Sequence, residues 1–207
     1  INTANLWNGT NVSNIEQFVL PKMALTRFND DIAPSMLLGK RVERFVSHHL
    51  SQLDDITILA ENTQVAKNKI TIGELDCLLL KEQTPIHLEI VYKFYLYDHN
   101  SGKTFLERWI GPNRKDSLIE KLQKLKAKQF PLLYHSETAR HLEHIGLKAE
   151  TIKQQTLYKA QLFLPLSEPN ITFELLNESC IAGFYCNYAE LNAFKKAKFY
   201  IPSKPNW

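Results

Sequence analysis

The spacing of hydrophobic positions changes period several times along the chain. In "PSMLLGKRVERFVSHHLSQL" (34–53), Leu38, Val42, Phe45, Val46, His49 and Leu50 recur at helical intervals, and Pro34 or Ser35 suits a first helical position. A helix is therefore predicted there. The period then falls toward two. "ITILAENTQVA" (56–66), "ITIGELDCLLL" (70–80) and "IHLEIVYKFYLY" (86–97) predict three strands rich in β-branched and aromatic residues, the first two joined by a "KNK" turn. After the loop "DHNSGKTFLERWIGPNRK", "SLIEKLQKLKAKQF" (117–130) predicts an amphipathic helix. Ser117 and Glu120 form its capping box, Leu118, Leu122 and Leu125 its apolar stripe, and Pro131 its stop. "ETARHLEHIGL" predicts a further helix and "TLYKAQLFLPL" (156–166) a further strand. "YAELNAFKKAKFYIP" is expected to be a short helix leading into a strand.

Helix, three strands, helix, strand is the order of an α/β domain: a mixed central sheet flanked by helices, with hairpin-joined strands first and a later return to the sheet. The core is expected over about 34–166 of a single domain. Residues 1–33 and 167–207 are expected to be extensions packed on it, the first contributing short elements at an edge.

Composition narrows the class. At 207 residues, 44% hydrophobic and 23% charged, the chain can bury a proper core and reads as a soluble globular protein. No apolar run approaches the ~20 residues of a membrane span. The opening "INTANLWNGTNVSN" lacks a signal-peptide layout and begins with Ile, which leaves room for a piece of a longer or processed protein. Cys77, Cys180 and Cys186 form no CxxC pair, so reduced thiols and a cytoplasmic location are expected. The net charge of +3 is small, but residues 111–160 hold ten Lys or Arg against five Asp or Glu, a local excess that suits a polyanion.

Two acids stand where strands should be apolar. Asp76 lies in "GELDCLLL" and Glu89 in "HLEIVYKF". Alternate strand residues share a face, so Asp76 goes with Glu74 and Leu78, and Glu89 with His87, Val91 and Lys93. On antiparallel neighbours the two carboxylates would converge. Adjacent carboxylates in an apolar wall repel each other, and a hard divalent cation, Mg2+ or Mn2+, removes that penalty. Glu43, three residues before Val46 and seven before Leu50, adds a third acid on the buried side of the first helix. Gly39, on the same face, is expected to let that helix approach a neighbour closely.

Glu43 on a first helix, Asp76 on the second strand, and Glu89 with Lys93 on the third resemble the PD-(D/E)XK nuclease superfamily, with its restriction-endonuclease-like α-β-β-β-α-β core. The blocks "LLGKRVERF", "LAENTQV", "GELDCLLL", "HLEIVYKFYL" and "WIGPNRKDSLIEKL", over about residues 35–165, resemble an uncharacterised bacterial family placed in that superfamily. The resemblance implies that Asp76 and Glu89 bind Mg2+, that Lys93 serves the hydrolytic water, that Glu43 assists the metal and that Gln64 is an auxiliary polar group. It implies a metal-dependent phosphodiesterase acting on nucleic acid, DNA foremost. One departure stands out: the usual spacing is Glu-x-Lys, yet Val91 fills that slot, and Lys93 lies about 6.6 Å further along at ~3.3 Å per residue. The alternative is a module that keeps the nuclease fold and binds nucleic acid or a protein without cleavage.

Arg114 and Lys115, after the Gly111–Pro112 turn and before a helix N-terminus, and Lys121, Lys124 and Lys128 on one helical face, are the candidate phosphate contacts. A solvated lysine face is the commoner use of such a stripe. The His48–His49 and His141–His144 pairs lack zinc-like partners, Cys77 points away from Asp76 as a small hydrophobe, and Trp109 reads as core. No phosphate-cradling Gly-rich loop and no G-x-S-x-G is present, which leaves nucleotide-hydrolase and serine-hydrolase classes without support.

Overall fold

The computed structural model describes residues 3–23, 26–173 and 175–201. Its centre is one mixed sheet. β1 (Asn11–Val12) and β2 (Ile15–Gln17) form a small antiparallel pair, followed by α1 (Leu38–Leu50) and the long strands β3 (Ile56–Lys67), β4 (Ile70–Lys81) and β5 (Thr84–Tyr97). After β6 (Trp109–Ile110) come α2 (Leu118–Lys124), a π-helical turn (Leu125–Gln129), α3 (Phe130–Leu132) and α4 (Ser136–His144). β7 (Lys153–Pro165) and β8 (Ile181–Tyr185) complete the sheet. The strand order is β1-β2-β7-β5-β4-β3, with β6 beside β5 and β8 beside β7. β3, β4 and β5 are antiparallel because short turns join them. β7 is parallel to β5, since the helices between them carry the chain back to the end where β5 began.

Helices cover both faces. Leu88 and Val91 are an odd number of residues apart on β5 and so face opposite sides. On one side α1 packs Val46 and Leu50 against Cys77, Leu79, Leu88 and Leu157. On the other, Leu118, Leu122 and Leu125 pack against Val91, Tyr95 and Tyr158, and Trp7 from the N-terminal segment joins them. A third cluster sets Leu132, Leu133 and Leu142 on Val65, Leu75 and Leu78. Burying each leucine contributes about 1.5–3 kcal/mol.

Several sequence expectations are corrected. α1 begins at Leu38 rather than Pro34, because Leu37 is extended and exposed and offers nothing to bury. Arg41 instead ties the preceding turn by donating to the carbonyls of Met36 and Pro34. Gly39 gives no close approach: a Cβ there would meet nothing within 4 Å. Pro131 does not stop the helix. Within the π-helical turn Phe130 N–H already reaches back five residues to Leu125 O, so a proline just beyond it loses little of an α ladder that is interrupted there anyway. The tail folds as a 3-10 turn over Glu190–Phe194, and residues 195–201 form no strand; the late strand is β8, whose short "IAGFY" run lacks clear alternation. Pro202, the last residue of the expected tail element, lies outside the described residues. Among the described residues no helix is long and apolar enough to cross a membrane.

The N-terminal segment does more than cover an edge. β2 runs parallel to β7 through Glu16↔Gln155, and Leu6, Trp7, Ile15 and Phe18 are buried.

Candidate functional site

β4 and β5 part company at the two acids. Their paired register ends at Cys77↔Leu88, so Asp76 and Glu89 are the next opposed positions. Beyond them β4 stays with β3, and β5 stays with β7. Opposed residues of antiparallel strands direct their side chains to one face, about 4.5–5.5 Å apart at Cβ. At this fork the backbone N–H of Ile90 donates to Asp76 Oδ2 at 2.8 Å, so a side-chain carboxylate serves the strand where the ladder has stopped. Burial, followed by the neighbouring charge of Glu89, pushes the Asp76 carboxyl up to about 7; Glu43 adds to the rise, while the Ile90 bond and Lys121 oppose it.

Glu89 is fully buried, and both of its oxygens are engaged. His87 Nε2 lies 3.0 Å from Oε1, and Gln129 Nε2 donates to Oε2. Gln154 Nε2 lies 3.1 Å from His87 Nδ1 and 2.7 Å from Phe130 O. Since an amide nitrogen can only donate, Nδ1 accepts, and the imidazole proton sits on Nε2, facing Glu89. The far oxygen of Gln129 accepts from Lys121 Nζ at 2.8 Å. Lys121 is held below the ordinary lysine range by burial, with Lys124 and Lys93 adding to the fall and Glu89 and Asp76 resisting it.

The α1 side contributes a second polar group. Lys40 Nζ donates to Glu43 Oε2 at 2.6 Å, to Asn62 Oδ1 at 2.7 Å and to Glu74 Oε1. Although burial works against its charge, the bonds to Glu43 and Glu74 hold the Lys40 ammonium above its usual range. Glu43 is raised, first by burial, and it also feels Glu74 and Glu89. Glu43, Glu74, Asp76 and Glu89 thus make four carboxylates against two ammoniums, Lys40 and Lys121. Fully ionised, the group is short of positive charge. In this conformation no three His, Cys, Asp or Glu side chains among the described residues gather into a metal-holding set. The fold opposes one pair, Asp76 with Glu89, while Glu43 is held by Lys40.

The other sequence candidates fall in different places. Lys93 Nζ bonds Asp116 Oδ2 at 2.7 Å, and both side chains are more than a third exposed. Gln64 is exposed, opposite Glu74 and toward the tip of the β3–β4 hairpin. Arg114, with φ of 56°, pairs with Asp98 at 2.6 Å. Lys115 and Lys124 are exposed, flanking the start and end of α2. Ser117 caps α2 by accepting from Glu120 N, but the Glu120 carboxylate bonds the Ser117 hydroxyl rather than the backbone, and so places a negative charge at that N-terminus. His49 Nε2 donates to Pro21 O at 3.0 Å and His48 lies against Thr26; both are structural.

Sequence reasoning passed over Lys40, His87 as a partner, and Gln129. Two of these were legible. His87 and Glu89 alternate on one strand face, and Lys40 and Glu43 are three apart on a helix. Gln129 carried no such signal, because its direction depends on the π-helical turn.

Residues 17–207 match the model of a family described as a domain of unknown function (DUF1853). No curated protein and no solved structure matches the chain.

Proposed function

Because the chain belongs to the DUF1853 family, whose description names no activity, we propose from its residues that it is a metal-dependent phosphodiesterase acting on nucleic acid, DNA foremost. The observation that carries this reading is the pairing of Asp76 with Glu89 at the point where β4 leaves β5, in a group with more carboxylates than ammoniums. With β6, α3 and α4 taken as insertions, the order α1-β3-β4-β5-α2-β7 follows the α-β-β-β-α-β order that the PD-(D/E)XK resemblance implies, and so supports it.

The donor set fits a hard cation: Mg2+ takes one or two protein carboxylates and fills its remaining positions with water and substrate oxygens. Asp76 and Glu89 would hold it, with Glu43 supporting the acidic shell. When bound, the ion supplies polarisation of a phosphoryl oxygen and a more acidic water. The chain's own part is orientation. The Ile90 N–H fixes one Asp76 oxygen, and His87 and Gln129 fix the Glu89 carboxylate. Arg114, Lys115, Lys121 and Lys124 belong to a segment rich in positive charge; Arg114 is exposed but paired with Asp98, while Lys115 and Lys124 are exposed and suited to phosphates.

A second reading has its own observation. Both Glu89 oxygens are already satisfied and Lys93 is engaged by Asp116, as a nuclease-fold module that binds without cleaving would have them. Incubation with plasmid, single-stranded DNA and RNA under Mg2+, Mn2+ or EDTA separates the two. Metal-dependent cleavage that vanishes in Asp76→Ala supports the enzyme. Salt-sensitive binding without cleavage supports the module and overturns the enzyme.

A further inference from the structure

We infer that Lys121 on α2, aimed by the π-helical turn, is the positively charged positioning residue of the Asp76–Glu89 pair, and that Lys93 is not. This assignment rests on the proposed carboxylate site and names the amine that serves it.

The geometry of each lysine carries the assignment. Lys93 shares the β5 face of Glu89, but its ammonium is bound to Asp116. Asp116 in turn belongs to a tight turn: its carbonyl accepts from Gly111 N at 2.7 Å, and its Oδ1 lies 1.9 Å from where a Cβ on Gly111 would stand. Lys93 therefore braces the loop that leads into α2, on a partly exposed surface.

Lys121 has a different partner. It reaches Gln129, eight residues on, whose amide holds Glu89. In an uninterrupted α-helix an eight-residue separation leaves two side chains about 80° apart around the axis, at roughly 100° per residue. The π-helical turn over Leu125–Gln129 absorbs one extra residue, so the eight residues span about two turns and the two side chains meet on one side. Leu118, Leu122 and Leu125 stay buried through the same stretch, so the turn redirects the polar residues without lifting the helix from its core. The result is a continuous line of donors and acceptors, Lys121 to Gln129 to Glu89 to His87 to Gln154, built from α2, the π-helical turn, β5 and β7. Lys121 acts through this line on the orientation of Glu89, and through its charge on both acids.

The test compares Lys121→Met with Lys93→Met. The first measurement is Mn2+ affinity at pH 8.5, by calorimetry or by the paramagnetic signal of free Mn2+. A cation beside a metal site weakens metal binding, so Lys121→Met should bind Mn2+ about 3- to 10-fold more tightly, and Lys93→Met should match the wild type. A merely structural lysine would give weaker binding when removed, and that result, or equal behaviour of the two variants, overturns the assignment. The second measurement needs no metal: melting-temperature cycles in EDTA pairing each lysine variant with Asp76→Asn. The changes in melting temperature should be non-additive for Lys121 with Asp76 and additive for Lys93 with Asp76. If the wild type takes up no Mn2+, the proposed activity fails while the cycle still decides which lysine serves the pair. Additivity for Lys121 overturns the assignment whatever the metal result.

Discussion

The Ile90 backbone N–H and the Asp76 carboxylate meet at 2.8 Å where the β4–β5 ladder has run out. A side chain of one strand does the work that a backbone carbonyl does elsewhere in the sheet. That bond holds one Asp76 oxygen against β5, at the position opposed to Glu89. Burial and Glu89 make the charged form of Asp76 costly, and the single backbone donor does not offset them.

This cost has a sign that a pH titration reads. The folded Asp76 carboxyl is raised from 3.8 to about 7, so it contributes stability below its unfolded value, and that contribution is lost as pH rises through about 7. Asp76→Asn keeps an oxygen for Ile90 and carries no charge. In EDTA the variant should be more stable than the wild type at pH 8, by on the order of 2–4 kcal/mol, and nearly equal to it near pH 4. Thermal melts across that range check it; a variant less stable at pH 8 contradicts the assignment of the cost to this carboxylate.

Millimolar Mn2+ should raise the melting temperature of the wild type at pH 8, because a ligand of the native state stabilises it, and should leave Asp76→Asn unmoved. The shift should shrink as pH falls below about 7, where Asp76 takes a proton that the cation must displace. A wild-type protein that shows no shift lacks an intact site.

Gln129 joins Lys121 to Glu89, so Gln129→Leu leaves a buried carboxylate oxygen and an ammonium without their shared partner. The expected loss is about 1–3 kcal/mol in denaturant unfolding, larger than the few tenths typical of a helix surface change.

Tyr95 and Tyr158 bond hydroxyl to hydroxyl at 2.6 Å in the buried layer under α2. Either Tyr→Phe change strands the other hydroxyl and should cost about 1–3 kcal/mol, whereas the double variant removes both groups and should cost less than the two single losses together. A double-mutant cycle by urea unfolding measures that coupling.

Gly111→Ala would drive a Cβ into Asp116, whose carboxylate also holds Lys93. The expected destabilisation is about 1–3 kcal/mol. The site tested by Asp76→Asn should keep its Mn2+ response, because Lys93 and Asp116 lie outside the Glu89 line.

The long elements were legible because each carries a repeated local pattern. β3, β4 and β5 were found within about two residues of their ends, and Leu118, Leu122 and Leu125 form a buried stripe in the structure. β8 and β6 were not legible: a five-residue and a two-residue strand gain their order from β7 and β5, not from their own sequence. The stop expected at Pro131 failed for a related reason. A proline's penalty depends on the hydrogen-bond ladder it enters, and the π-helical turn had already changed that ladder.

Alternation along β4 and β5 was enough to place Asp76 and Glu89 on strands and to make them converge if the strands were antiparallel neighbours. That follows from a period of two and short connections, which are local properties. The partners of those acids belong to the tertiary structure. Gln129, with Lys121 bonded to it, reaches Glu89 only after the helix packs across the sheet with one residue absorbed in a wider turn, and Gln154 reaches His87 only after β7 docks beside β5. Hydrogen bonds between groups 40 and 67 residues apart depend on where whole elements come to rest, and no spacing within a single element encodes that.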